Sequence, residues 1–147
     1  MSSDETDKDK FSFIVVDDHM LMRKMMVQYL RDLGYQKIDT AINGRDALDK
    51  IGAQLLMGTP YDIAFVDMNM PIMDGMELLR VCRENPDLDN TAFVMLTGEC
   101  EKQMVIKALQ AGVTSYIVKP VSQSALCEKL DGILKWVSEK KLGAAGD

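Results

Sequence analysis

Three aspartates and a lysine follow apolar segments of the chain. "IVVDD" ends in Asp17 and Asp18, "IAFVD" ends in Asp67, and "SYIVKP" contains Lys119. Carboxylates with little His or Cys nearby suit a hard divalent ion such as Mg²⁺, which prefers oxygen ligands and keeps waters. A divalent ion and a lysine around one carboxylate also form a phosphate site, because they neutralise the phosphoryl oxygens during transfer. Asp67 is then a candidate nucleophile that forms an acyl phosphate.

These residues also have purely structural interpretations. Asp17 and Asp18 can cap a helix N-terminus, a threonine such as Thr97 is often a local hydrogen bonder, and a lysine before proline is usually solvated. We interpret His19 as a surface residue of the first helical turn rather than as a metal ligand. However, carboxylates about 4 Å apart repel by roughly 4 kcal/mol at an effective dielectric constant near 20, so cations or protons must hold such a cluster. The coincidence of these residues at four strand ends favours the functional interpretation.

The elements that position these residues are strands and helices in alternation. Five short apolar or β-branched segments are predicted as strands: "FSFIVV", "KIDTA", "YDIAFVDM", "AFVMLT" and "SYIVK". The segment after each has helical spacing, the first from about His19 to Leu33 and the third from Asp74 to about Glu84. Near-continuous apolar strands indicate a parallel sheet covered on both faces, hence a doubly wound (βα)5 α/β domain. Ligands bind at the carboxyl ends of such strands.

The composition excludes several classes of protein. With 147 residues, 47% hydrophobic and 27% charged, the chain fits one globular domain. A net charge of −6 disfavours nucleic-acid binding, and no apolar run predicts membrane insertion. We expect a cytoplasmic protein with a polar tail at residues 1–10, a domain at 11–140 and a tail at 141–147. Neither GxxxxGK[ST] nor GxGxxG is present, and Asn69 stands where phosphatases with an aspartate nucleophile carry their acid/base.

Four segments together resemble the receiver domain of bacterial two-component response regulators. They are "IVVDDHMLMRKMM", "DMNMPIMDGMELL", "FVMLTGE" and "QAGVTSYIVKPVSQSAL". The resemblance runs from about Phe11 to Val137 and is strongest to the single-domain chemotaxis regulators. It implies a flavodoxin-like fold with strand order 2-1-3-4-5.

The resemblance also implies a role for each residue of the site. Asp67 would accept a phosphoryl group from a kinase phosphohistidine. Mg²⁺ would be bound by Asp18, Asp67 and the backbone carbonyl of Asn69, with Asp17 acting through a water molecule. Lys119 would pair with the Asp67 carboxylate and then with the phosphoryl group.

Further positions are implied for switching and for the lifetime of the signal. Thr97 would donate its hydroxyl to the phosphoryl group, and Tyr116 would be the aromatic switch that follows it. Pro120 would follow a cis peptide bond. Asn69 and Glu99 would flank the approach of the hydrolytic water and tune dephosphorylation.

The resulting expectation is a phosphorylation-activated regulator that signals by protein binding. It would not be an enzyme with a separate substrate, although it would catalyse its own phosphorylation and dephosphorylation. The implied partners are a CheA-like sensor histidine kinase, the flagellar motor switch protein or another output protein, and a phosphatase. The alternative is a phosphate-carrying relay protein or an aspartyl-phosphate enzyme, which would show onward transfer or turnover instead of a changed partner affinity.

Overall fold

The computed structural model describes residues 8–98 and 102–146. In this part of the chain the strands are β1 (Ser12–Val16), β2 (Lys37–Ala41), β3 (Ile63–Asp67), β4 (Ala92–Thr97) and β5 (Ser115–Val118). The α-helices are α1 (Met20–Asp32), α2 (Gly44–Leu56), α3 (Gly75–Arg83), α4 (Lys102–Gln110) and α5 (Gln123–Gly146), and a 3-10 turn spans Pro86–Leu88. All strand pairs are parallel, in the order β2-β1-β3-β4-β5, so the predicted doubly wound sheet and its strand order are confirmed.

Both faces of the sheet are buried because successive strand residues point to opposite sides. On one face Ile14, Val66 and Met95 pack with residues of α2, α3 and α4. On the other face Phe13 and Phe65 pack with residues of α1 and α5. Helices on both faces explain why the central strands read as continuous apolar runs instead of alternating ones.

Local capping places two of the helices that border the carboxyl edge of the sheet. The Asn43 side chain accepts a hydrogen bond from the Asp46 N–H at the start of α2. At the start of α3, Asp74 and Glu77 form a reciprocal capping box. Each bond satisfies an N–H group that has no partner inside its helix.

The last helix continues past residue 140, where the sequence suggested that the domain ends. It reaches Gly146, and Lys141 lies on it with its Nζ 2.8 Å from Asp62 Oδ1 and 5.3 Å from the centre of the Phe11 ring. These contacts hold the end of α5 against the amino-terminal end of the sheet, because Phe11 and Asp62 directly precede β1 and β3.

Over residues 8–98 and 102–146, no helix has the length and apolar character needed to cross a membrane.

Candidate functional site

Parallel pairing brings the polar residues predicted for the site to one edge of the sheet. Asp67 ends β3 opposite Leu96, and Thr97 ends β4 opposite Val118. The Lys119 N–H then donates to the Thr97 carbonyl at 2.7 Å, one residue beyond β5. The register of the strands therefore brings together residues that lie far apart in the chain.

Lys119 links two buried carboxylates. Its Nζ donates to Asp67 Oδ1 at 2.8 Å and lies 3.5 Å from Asp17 Oδ2. The side chains of Asp67 and Asp17 are 5% and 1% exposed, whereas that of Lys119 is 25% exposed. One cation therefore faces two carboxylates, and the excess negative charge calls for a further cation.

The pKa values follow from this arrangement. Burial raises the pKa of the Asp67 carboxyl, the hydrogen bond from Lys119 opposes that rise, and the charge of Asp17 adds to it. For Lys119, burial lowers the ammonium pKa, but the hydrogen bond and charge of Asp67 and the charge of Asp17 together outweigh this effect and raise the pKa overall. Lys119 thus stays a cation at neutral pH, while ionised Asp67 depends on neighbouring positive charge.

The structural interpretation of Asp17 and Asp18 is that they cap the N-terminus of the first helix. Neither residue occupies the N-cap position of α1. His19 stands there, and its side chain makes no capping hydrogen bond. Asp17 Oδ1 instead accepts the His19 N–H at 2.9 Å, ahead of the helix. Asp17 and Asp18 each place a carboxylate oxygen within 4.8 Å of one from Asp67.

The donor set fits a divalent cation. Asp17 Oδ2 and Asp18 Oδ1 are buried, yet neither accepts a hydrogen bond from the described part of the chain. One ligand atom each from Asp17, Asp18, His19 and Asp67 lies within 4.8 Å of the others. Buried acceptors without donors are costly, and carboxylate oxygens are what Mg²⁺ prefers, so these residues could hold such an ion.

The other predicted residues lie around this cluster. The Asn69 N–H is 3.5 Å from Asp67 Oδ1, and its side chain is exposed. Thr97 is buried, with its Oγ1 3.9 Å from Met68 Sδ and 3.4 Å from the Gly98 carbonyl oxygen. The Lys119–Pro120 peptide bond is cis.

Tyr116 lies within β5 rather than at the carboxylate cluster. It pairs with Met95, two residues before Thr97, so Tyr116 and Thr97 project from the same face of the sheet. Its ring is partly buried against the core on that face, with Lys129 Nζ 4.7 Å from the ring centre. Glu99 lies outside the described residues.

Two features of the loop after β3 escape sequence reasoning. A Cβ on Gly75 would lie 2.5 Å from the Asp67 carbonyl oxygen, so only glycine lets α3 start this close to the site. Ile72 has φ = 72°, a left-handed conformation that strains a β-branched residue. The Asp74-Gly75 pair signals a turn, but no local pattern announces a left-handed isoleucine.

The fold and site define a class of protein: a doubly wound α/β domain whose carboxyl edge presents a lysine-linked aspartate among further carboxylates. Residues 13–131 match the response regulator receiver domain family. The chain belongs to that family.

Individual relatives are chemotaxis proteins. Chemotaxis protein CheY-3 of Vibrio cholerae is 38% identical over 122 residues, which span 83% of this chain and 90% of the relative. Chemotaxis protein CheY of Pseudomonas aeruginosa is 36% identical over 125 residues, 85% of this chain and 97% of the relative. The structure of Vibrio cholerae CheY4 superposes with a TM-score of 0.73 at 30% identity, covering 84% of this chain and 98% of the other.

Proposed function

We propose that this chain is a phosphorylation-activated response regulator of a chemotaxis-like system. A cytoplasmic histidine kinase would supply the phosphoryl group, and Asp67 would accept it. The observation that carries the proposal is the 2.8 Å contact between Lys119 Nζ and Asp67 Oδ1 at the carboxyl edge of the sheet, beside two further aspartates. Identity to chemotaxis proteins over most of the chain supports the same function.

The proposed transfer is a displacement at phosphorus. An oxygen of ionised Asp67 attacks the phosphorus of the kinase phosphohistidine, the phosphorus–nitrogen bond breaks, and its electron pair returns to the imidazole. Asp67 must be ionised to attack, and Lys119 favours that form by its hydrogen bond. Lys119 and Thr97 would contact the phosphoryl oxygens afterwards. A bound Mg²⁺, held by Asp18, Asp67 and the Asn69 carbonyl with Asp17 in support, would neutralise charge on those oxygens.

The proposed output is a change in protein binding at the face formed by α4, β5 and α5. Thr97 and Tyr116 share one face of the sheet, so a shift of the threonine toward the phosphoryl group alters the space beside the ring. Exposed apolar side chains on α4 and β5 would provide contact area for a partner: Ile106 and Leu109 on the helix and Val118 on the strand. The flagellar motor switch is the leading target, since the named relatives are chemotaxis proteins.

Mass spectrometry with a small phosphodonor tests the acceptor. Incubation with acetyl phosphate and Mg²⁺ should add one phosphoryl group to the intact protein, and EDTA should prevent it. Asp67→Asn should remain unlabelled. Labelling that persists in this variant would rule out Asp67 as the acceptor.

Asp62→Asn is a matched control, because Asp62 directly precedes β3 whereas Asp67 ends it. Asp62 is also buried and has a lysine nitrogen, Lys141 Nζ, at 2.8 Å. The control should still be labelled, because Asp62→Asn leaves Asp67, Lys119 and the carboxylates around them in place. With a beryllium fluoride mimic, amide exchange should change in α4, β5 and α5. Changes confined to the loops around Asp67, or onward transfer of the phosphoryl group to another protein, would favour the relay alternative.

A further inference from the structure

His19 lies among the carboxylates of the proposed metal site. Its Nδ1 is 3.1 Å from Asp17 Oδ1 and 3.2 Å from Asp18 Oδ1. We propose that His19 is a nitrogen ligand of this site and that it shifts the ion preference toward divalent transition metals such as Zn²⁺. The proposal rests on the metal site of the proposed function and adds a ligand that carboxylates alone do not provide.

The two distances from the His19 ring fit ligands that share one ion. Bonds of about 2.1 Å separate neighbouring ligand atoms by roughly 3.0 Å in an octahedron and roughly 3.4 Å in a tetrahedron. The two distances from His19 Nδ1 fall between these values. Asp67 completes a set of four residues whose ligand atoms all lie within 4.8 Å of one another.

The surroundings of His19 also point to a ligand. The backbone N–H of His19 is fixed on Asp17 Oδ1 at 2.9 Å, but its ring does not cap the helix that it precedes. Asp17 is 1% exposed, and its Oδ2 accepts no hydrogen bond within the described residues, although Lys119 Nζ lies 3.5 Å away. A single hydrogen bond from the ring to Asp17 Oδ1 would leave Asp18 Oδ1 without a donor, whereas a cation shared by the two carboxylates would satisfy both.

The ligand chemistry explains the expected preference. Imidazole suits Zn²⁺, Co²⁺ and Ni²⁺, whereas Mg²⁺ takes oxygen ligands almost alone. A neutral imidazole can bind through Nδ1 while Nε2 carries the proton. A site with three carboxylates and one imidazole should therefore still bind Mg²⁺ but bind Zn²⁺ more tightly.

The test uses the full chain without a histidine tag, because His19 is then the only histidine in the protein. Calorimetric titrations measure Zn²⁺ and Mg²⁺ affinity separately for wild type, His19→Gln and Asp18→Asn. We expect His19→Gln to weaken Zn²⁺ binding about tenfold or more and to leave Mg²⁺ binding within about twofold. Asp18→Asn should weaken both. In ¹⁵N spectra, Zn²⁺ should shift the single pair of imidazole resonances.

Each other outcome overturns the ligand assignment. If the ring resonances stay in place and Zn²⁺ affinity is unchanged in His19→Gln, His19 is only a surface residue, while Mg²⁺ binding still supports the proposed function. If His19→Gln weakens Mg²⁺ and Zn²⁺ equally, the ring only positions the carboxylates. If wild type binds neither ion, the metal site of the proposed function fails together with this proposal.

Discussion

Replacing Lys119 by methionine removes the one described cation within 4 Å of the Asp67 and Asp17 carboxylates. Methionine has a similar length but no charge, so packing is largely kept. We expect the metal-free protein to lose stability at neutral pH, because two buried carboxylates are left without their shared partner.

The size of the loss follows from the distances. At an effective dielectric constant of about 20, unit charges at 2.8 and 3.5 Å attract by roughly 6 and 5 kcal/mol before any desolvation cost. The buried lysine also carries a desolvation cost, and removing the lysine removes that cost, which offsets part of the lost attraction. Removing one partner of a buried pair costs about 3–5 kcal/mol, and the 25% exposure of Lys119 places this case lower, at about 2–3 kcal/mol.

The loss should depend on pH in a defined direction. The pKa of Asp67 is already raised by burial, and without Lys119 it rises further. The folded state then keeps a proton that the unfolded chain releases near pH 4. Stability therefore falls as pH rises from about 4 through the folded pKa, and falls more steeply in the variant than in wild type.

Urea unfolding in EDTA at pH 7.5 and pH 4.5 measures both effects. Lys50→Met is the control, since Lys50 forms an exposed (i, i+4) pair with Asp46 at 3.4 Å and should cost less than about 1 kcal/mol. Mg²⁺ should raise the free energy of unfolding of Lys119→Met more than that of wild type, because the ion replaces the missing charge. A variant as stable as wild type at pH 7.5, or a deficit that does not shrink at pH 4.5, would refute the electrostatic reasoning.

Two further predictions concern the loop after β3 and the lifetime of the signal. Ile72→Gly should raise the free energy of unfolding by about 1 kcal/mol in urea titrations, because the relief of left-handed strain outweighs the added entropy of the unfolded chain and the 80% exposed side chain loses little packing. Ile42→Gly is the control and should not stabilise the protein, because Ile42 has no positive φ. No gain in Ile72→Gly would show that the strain is absent. Replacing Asn69 or Glu99 by a bulky apolar residue should slow loss of phosphate from phosphorylated Asp67, because such groups shield the water in line with the acyl phosphate; wild-type decay no faster than that of both variants contradicts this.

The strand and helix pattern and the edge that carries the site were predictable from the sequence. Apolar runs of strand length alternate with helical spacing, and these periods reflect contacts between residues close in the chain. Once the sheet is parallel, residues that end strands must meet at one edge. Asp17, Asp67, Thr97 and Lys119 could therefore be grouped before any distance was known.

Tertiary structure alone decided the electrostatics of the site and the position of His19 beside it. Asp67 and Lys119 are 52 positions apart in sequence, and their 2.8 Å contact and burial set the direction of both pKa shifts. The sequence indicated His19 only as a surface residue, and folding placed its ring beside two carboxylates. The same holds for Lys141, which lies on α5 and whose Nζ is 2.8 Å from Asp62 Oδ1, a residue far away in the sequence. Charge–charge energies and desolvation depend on distances through space, which a one-dimensional pattern does not contain.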